Sequence, residues 1–282
     1  MLKLTAIQLS SLPNVEANLA AISRQLCLLI ESSKEAEQKG EQKTEHLVVL
    51  PECCLFFGGR DSEQLDLAKQ SKKDNDLVNA LAAMARQYNV YLVAGTVPLL
   101  NDTGEKFTNS SCLFSPHGEL LTCYDKIHLF DVVVADREKN YCESRYTQAG
   151  DKLSMISADI ANVGLSVCFD LRFPLLFQQL TKLGADIITV PSAFTRVTGK
   201  AHWQTLLQAR AIENQVYIIA AGQEGVHANG RETWGHSMII SPWGEVLACL
   251  PQGEGYISVD YQPREVRRIR ESMPLKSNLY IS

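Results

Sequence analysis

The period of apolar and polar positions changes repeatedly along the chain. Met1-Leu2-Lys3-Leu4 opens an alternating pattern that predicts a strand over 2–9. Over 14–37 the spacing becomes helical, and Asn14 stands where an N-cap belongs. The polar stretch 38–45 reads as a solvated loop. Leu47-Val48-Val49-Leu50 has the continuous apolar character of a buried strand. Helical spacing returns over 74–88, with Asp74 near its start, and Tyr91 to Val97 is rich in β-formers. Helix is again predicted from Phe173 onward, Ile187–Val190 reads as a second buried strand, and charges alternate with apolar residues along a C-terminal helix face over 264–270. Strands alternating with helices imply an α/β architecture.

The pattern repeats. Val90-Tyr91-Leu92-Val93-Ala94-Gly95 resembles Val216-Tyr217-Ile218-Ile219-Ala220-Ala221, and Ser115-Pro116-His117-Gly118-Glu119 resembles Ser241-Pro242-Trp243-Gly244-Glu245. The offset is 126 in both cases, 90 to 216 and 115 to 241. Proline second and glycine fourth suit a turn ending in a residue with positive φ, and apolar runs flank both turns, so each reads as a hairpin. Upstream, Leu50-Pro51-Glu52 has a counterpart in Val190-Pro191-Ser192. Equal offsets favour an internal duplication over two unrelated occurrences of a good turn. Two such halves with their sheets face to face and helices outside give a four-layer αββα sandwich. No linker separates them, so a single domain over 1–282 is expected, with a tail from about 273.

Composition narrows the class. Of 282 residues 45% are hydrophobic and 21% charged, as in a packed globular chain. Lys plus Arg is 27 against 32 for Asp plus Glu, a net charge of −5 that argues against nucleic acid as the main partner. No apolar run approaches the ~20 residues of a membrane span, and the N-terminus does not read as a secretory signal. The eight cysteines form no C-x-x-C pair, which points to free thiols in a reducing, cytoplasmic setting.

Three predicted strand ends carry reactive groups, and sites in α/β sheets form beyond such ends. Val48-Val49-Leu50-Pro51-Glu52 ends in a carboxylate, Leu121-Thr122-Cys123-Tyr124-Asp125-Lys126 in an ammonium, and Val163-Gly164-Leu165-Ser166-Val167-Cys168 in a thiol. A thiol between strand and helix is expected to have a lowered pKa and nearby backbone donors. Singly, each has an ordinary reading: a capping or solvated glutamate, a surface lysine, a small buried hydrophobe. Jointly they are a candidate site. The six histidines show no zinc spacing, and phosphate-binding glycine loops and G-x-S-x-G are absent.

With these stretches in hand the chain resembles the carbon–nitrogen hydrolases of the nitrilase superfamily, Nit branch, over nearly its whole length. Leu50-Pro51-Glu52 is similar to the family's glutamate motif, Tyr124 to Asp131 to its lysine motif, and Gly164 to Pro174 to its cysteine motif. Pro191-Ser192-Ala193-Phe194-Thr195, Gly199, Ala201-His202-Trp203 and Ala209 to Asn214 extend the likeness. The family fold is the αββα sandwich. The resemblance implies a cysteine-dependent amidase acting on a small carboxylate-bearing amide, either deaminated glutathione or a 2-oxo acid ω-amide. It implies Cys168 as nucleophile, Glu52 as general base and Lys126 with the Phe169 backbone N–H as oxyanion donors. Glu143, in Asn140-Tyr141-Cys142-Glu143-Ser144, would assist.

Phe169, Phe194, Thr195 and Arg196 are the substrate-binding candidates, Arg196 as the cation for a substrate carboxylate. Arg172 is expected instead in a structural salt bridge with Asp170 or another sheet-end carboxylate. The stretch Arg196-Val197-Thr198-Gly199-Lys200 is expected as a loop, with Lys where relatives commonly have Pro, and 132–139 as a lid. No metal or organic cofactor is implied, no nucleic-acid or membrane partner, and association as a homodimer or higher homo-oligomer. Alternatives are a hydrolase of N-carbamoyl or N-acyl amino acids, a histidine-assisted cysteine hydrolase, and a non-catalytic binding or regulatory protein.

Overall fold

A computed structural model describes residues 1–40, 42–136 and 140–275. The first half runs β1 (Leu2–Gln8), α1 (Val15–Gln38), β2 (Glu45–Val49), α2 (Asp61–Ser71), α3 (Asp76–Tyr88), β3 (Tyr91–Val93), β4 (Val97–Leu100), β5 (Phe107–Phe114) and β6 (Leu120–Asp125). A ribbon, β7 (Asp131–Val133) and β8 (Asn140–Cys142), and then β9 (Met155–Ser157) lead to the second half. That half runs β10 (Asn162–Leu165), α4 (Pro174–Lys182), β11 (Ile187–Thr189), α5 (Arg196–Asn214) and β12 (Tyr217–Ala220). A second ribbon, β13 (Glu224–Val226) with β14 (Glu232–Trp234), precedes β15 (Ser237–Ile240), β16 (Val246–Leu250), β17 (Gly255–Asp260) and α6 (Pro263–Ser272).

Two sheets result. One orders β6-β5-β3-β2-β1-β17, with β4 on β5 where β3 stops, and the other orders β16-β15-β12-β11-β10-β9. Strand alternation builds the layers. Leu4, Ala6, Leu47, Val49, Val93 and Leu113 join the core shared with the second sheet. Their neighbours Ile7, Val48, Leu92, Cys112 and Phe114 pack outward with Ile22, Leu26 and Leu29 of α1 and Leu77, Leu81 and Ala85 of α3. On the far side Leu176, Phe177 and Leu180 of α4 and Trp203, Leu207 and Ala211 of α5 join the core around the second sheet. The expected αββα sandwich is the observed one.

The duplication holds in detail. Each half has three parallel strands followed by an antiparallel hairpin. In both turns the fourth residue is a glycine with positive φ, +78° at Gly118 and +87° at Gly244. Ser115 N donates to Glu119 O and Ser241 N to Glu245 O, both at 2.9 Å. Each hairpin carries an irregularity at the same relative place, between Leu113 and Phe114 and between Ile239 and Ile240. Asn89 and Gln215, also 126 apart, end α3 and α5 in the left-handed conformation at φ 52° and 54°.

Local expectations differ at few places. The helix predicted over 14–37 spans Val15–Gln38, with Asn14 Oδ1 accepting from Ala17 N at 2.9 Å. The β-rich stretch 91–97 breaks at Ala94-Gly95-Thr96, because Gly95 takes a positive φ of 47° to bring the chain under Pro51. The stretch 196–200 is no loop: Thr195 caps α5 by accepting from Thr198 N at 3.3 Å, and the helix starts at Arg196. Of the lid expected over 132–139, part forms the β7–β8 ribbon, and 137–139 lie outside the described residues. Of the tail from 273, only 273–275 are described, with Gln215 Nε2 donating to Met273 O at 2.7 Å.

Candidate active site

Three segments leave the ends of β2 and β6 in one sheet and β10 in the other, and converge. Glu52 lies just beyond β2. Behind it a Cβ on Gly95 would collide with the Pro51 carbonyl, so glycine there lets the two segments touch. Lys126 follows β6, its backbone N–H donating to Asn109 O of β5 at 3.0 Å. Cys168 opens the 3-10 turn Cys168–Arg172 beyond β10 with φ +49°, its N–H donating to Pro191 O at 2.9 Å. A non-glycine residue in this region is strained and persists where the surroundings over-determine it.

All three side chains are buried: Glu52 is 5% exposed, Lys126 1% and Cys168 7%. Lys126 Nζ donates to Glu52 Oε1 at 2.9 Å and to Glu143 Oε1 and Oε2 at 3.1 and 2.8 Å. Asn109 Nδ2 donates to the same two carboxylates, at 3.0 Å to Glu52 and 3.2 Å to Glu143. Ala193 N donates to Glu52 Oε2 at 3.0 Å and Phe130 N to Glu143 Oε2 at 2.7 Å. Each carboxylate is thus fixed by three donor groups, and the Cys168 thiol lies against Glu52.

The charges divide the roles. Burial alone would push Lys126 down, but the Glu143 and Glu52 carboxylates outweigh it and hold the ammonium protonated well above its ordinary range. Burial, reinforced by the Glu52 carboxylate, pushes the Cys168 thiol well up, and Lys126 offsets this only in part. This corrects the expectation of a lowered thiol pKa. At the bottom of a cleft desolvation outweighs the turn, and the thiol form of Cys168 is favoured.

A cleft of about 1090 Å³, counting its open mouth, leads down to the cluster. Glu52, Lys126, Glu143 and Cys168 line it, together with Phe169, Phe194 and Thr195 among the expected binding residues. Arg196 does not: from the first turn of α5 its guanidinium pairs at 3.2 Å with Glu232, which does line the cleft. Arg172 is not paired with Asp170 either. It lies over the Phe194 and Phe169 rings, 5.3 and 5.8 Å from their centroids, while Asp170 is occupied by His128 and Tyr124.

Among the described residues, the cations that line the cleft besides Lys126 are Arg60 and Arg231. Arg231 donates to both Asp61 carboxylate oxygens, at 3.0 and 3.3 Å, and lies 5.2 Å over the Tyr141 ring. Asn109, Arg60 and Arg231 have no local signal in the sequence. Asn109 sits in an ordinary polar strand stretch, Thr108-Asn109-Ser110, and the arginines sit in loops far apart in the chain. Among the described residues no group of three or more His, Cys, Asp or Glu is gathered as a metal-binding set.

Comparison with known proteins adds three findings. The family model described as carbon–nitrogen hydrolase matches residues 3–271. Among curated proteins the chain is similar to a deaminated glutathione amidase of Yersinia enterocolitica, 40% identical over 278 residues, covering 98% of this chain and 92% of that one. It is also similar to an omega-amidase of Xenopus tropicalis, 36% identical, covering 89% and 86%. Among solved structures, Nit3 of Saccharomyces cerevisiae, a member of branch 10 of the nitrilase superfamily, overlays with a TM-score of 0.83 at 29% identity, covering 99% and 97%.

Proposed function

The chain belongs to the carbon–nitrogen hydrolase family, and from that premise we propose that it is a thiol amidase cleaving a small carboxylate-bearing amide, deaminated glutathione or a 2-oxo acid ω-amide, through a thioester. The observation that carries this reading is the convergence of Glu52, Lys126 and Cys168 at the floor of one cleft, with Lys126 Nζ 2.9 Å from Glu52.

Cys168 Sγ attacks the amide carbonyl as Glu52 takes the thiol proton. A C–S bond forms, and the carbonyl π pair moves to oxygen. Lys126 and the Phe169 N–H receive that oxyanion, each such donor being worth about 2.7–4 kcal/mol. Collapse breaks the C–N bond, and Glu52 returns its proton to the departing nitrogen. Water then attacks the thioester and gives a proton to Glu52; the C–S bond breaks, the acid leaves, and Glu52 returns that proton to the sulfur to restore the thiol. Glu143 and Asn109 hold Glu52 and Lys126 in place throughout.

The substrate carboxylate meets Arg231, more sheltered than Arg60, the other described arginine lining the cleft. Among the described residues no helix is long and apolar enough to cross a membrane. Eight free thiols favour a cytoplasmic setting. The exposed side chains Leu175 on α4 and Val197 and Ile212 on α5 favour a homodimer through that face, which sedimentation tests. The deciding assay measures amine release from deaminated glutathione and ammonia release from 2-oxoglutaramate, with Cys168→Ala as control. Turnover of either that is lost in the variant supports the reading; turnover of neither, or full activity in Cys168→Ala, overturns it.

A further inference from the structure

We propose that Asp170 is a positioning residue for the reaction, holding the Cys168 turn and the Lys126 loop in one fixed relation. This rests on the reading of Cys168 as nucleophile and Lys126 as oxyanion donor.

Asp170 is completely buried, and four donors converge on its carboxylate. Oδ2 accepts from Val167 N at 2.9 Å and from the Tyr124 hydroxyl at 2.8 Å. Oδ1 accepts from His128 N at 3.1 Å and pairs with His128 Nδ1 at 2.7 Å. The origin of these donors is what matters. Val167 immediately precedes the nucleophile, whereas Tyr124 and His128 flank Lys126 two residues away on either side. One carboxylate therefore anchors both segments that must cooperate.

On the cysteine side the contact is reciprocal. Val167 N reaches the Asp170 carboxylate while Asp170 N donates to Val167 O at 3.0 Å. This closes the turn around Cys168 and supports its positive φ of 49°. On the lysine side the Tyr124 hydroxyl gives its proton to Asp170 and accepts from Ile127 N at 3.2 Å, so the backbone on both sides of Lys126 is tied to the same group. His128 is held flat against the Phe173 ring, 3.6 Å between centroids at 8°, and Phe173 N donates to Asp170 O at 2.9 Å.

A buried carboxylate is costly unless fully hydrogen-bonded, and here charge-assisted bonds satisfy both oxygens. Asp170 is absent from the cleft lining, so it acts through Cys168 and Lys126 and not on substrate. An amide at this position can accept only through its one oxygen. Its NH2 group would face either Val167 N and the Tyr124 hydroxyl or the His128 donors.

The test compares Asp170→Asn and Tyr124→Phe with the wild type on the amide the wild type turns over. Rates are expressed per folded molecule, from the native fraction read by near-ultraviolet circular dichroism, so that unfolded protein is not counted. In Asp170→Asn, kcat per folded molecule is expected to fall about 100-fold, the scale of a small misplacement at a reacting centre. KM should stay within about threefold on the same argument. In Tyr124→Phe, which removes one donor and carries the test if Asp170→Asn does not fold, kcat should fall about tenfold. A kcat per folded molecule equal to wild type, with only the melting temperature lowered, overturns the proposal, as does a rise confined to KM. The alkylation rate of Cys168 needs no substrate. It should differ at least about fivefold between wild type and variants, and an equal rate overturns the proposal. A wild type inert toward both amides would instead overturn the amidase reading.

Discussion

Glu52 and Glu143 share a single ammonium: Lys126 Nζ donates to Oε1 of each, at 2.9 and 3.1 Å. Two carboxylates facing one cation leave an excess of negative charge, and Asn109 spans the same pair of oxygens with a neutral donor. The two glutamates differ in what else they touch. Glu52 lies against the Cys168 thiol, whereas Glu143 accepts from Phe130 N and faces Lys126. Glu52→Gln is therefore expected to lower kcat by about 10²–10⁴-fold, the range for loss of a general base. Glu143→Gln should cost less, and steady-state rates per folded molecule give the ranking.

Asn109→Ala removes the donor common to both carboxylates. A hydrogen bond to a charged group is worth about 1.5–3 kcal/mol, so kcat should fall roughly 10- to 100-fold with little change in KM. An unchanged kcat would mean that Lys126 alone fixes the pair.

Arg231→Ala should raise KM for carboxylate-bearing amides at least about tenfold, in line with the loss of a charge-assisted contact. An amide of the same length without the carboxylate should be unaffected. Arg196→Ala serves as the contrast. Arg196 itself does not line the cleft and its partly exposed ion pair with Glu232 is worth about 0–1 kcal/mol, so KM should move far less than in Arg231→Ala.

His46 gives the fold an acid sensitivity separate from the chemistry. It is buried on β2 beside Lys3 of β1, and burial, then the Lys3 charge, lowers its pKa from 6.5 to about 4. The unfolded chain takes up this proton first. The stabilisation is therefore complete above pH 6.5 and is lost as pH falls toward and through about 4. The full loss is roughly 3 kcal/mol. Urea midpoints between pH 7 and 4 should fall less steeply in His46→Gln than in the wild type.

The duplication is legible in the sequence because its markers are steric. A tight turn needs positive φ at its fourth residue, so Gly118 and Gly244 stand out 126 residues apart. Glu52, Lys126 and Cys168 are legible because each ends a strand, and strand ends of parallel sheets gather on one rim. What surrounds them is not legible. Asn109 has the spacing of any strand residue, and Arg231 reaches the cleft from a ribbon whose place depends on the whole fold. Arg196 looks like a loop cation because the Thr195 cap that starts α5 gives a weak local signal. The thiol's direction of shift depends on burial depth, which no local pattern encodes.

The pairing of β17 with β1 bears on how the chain is made. Lys3 pairs with Asp260 and Gln8 with Gly255, so β1 is flanked on one side by β17, which follows it far along the chain. At a synthesis rate of about 5–20 residues per second, that edge stays open for on the order of ten to fifty seconds. A nascent chain thus carries an unpaired β1 edge, rich in apolar residues, until β17 has left the ribosome. Holding factors that bind exposed strands would act in that interval, and a chain truncated before Gly255 would keep the edge permanently open to aggregation.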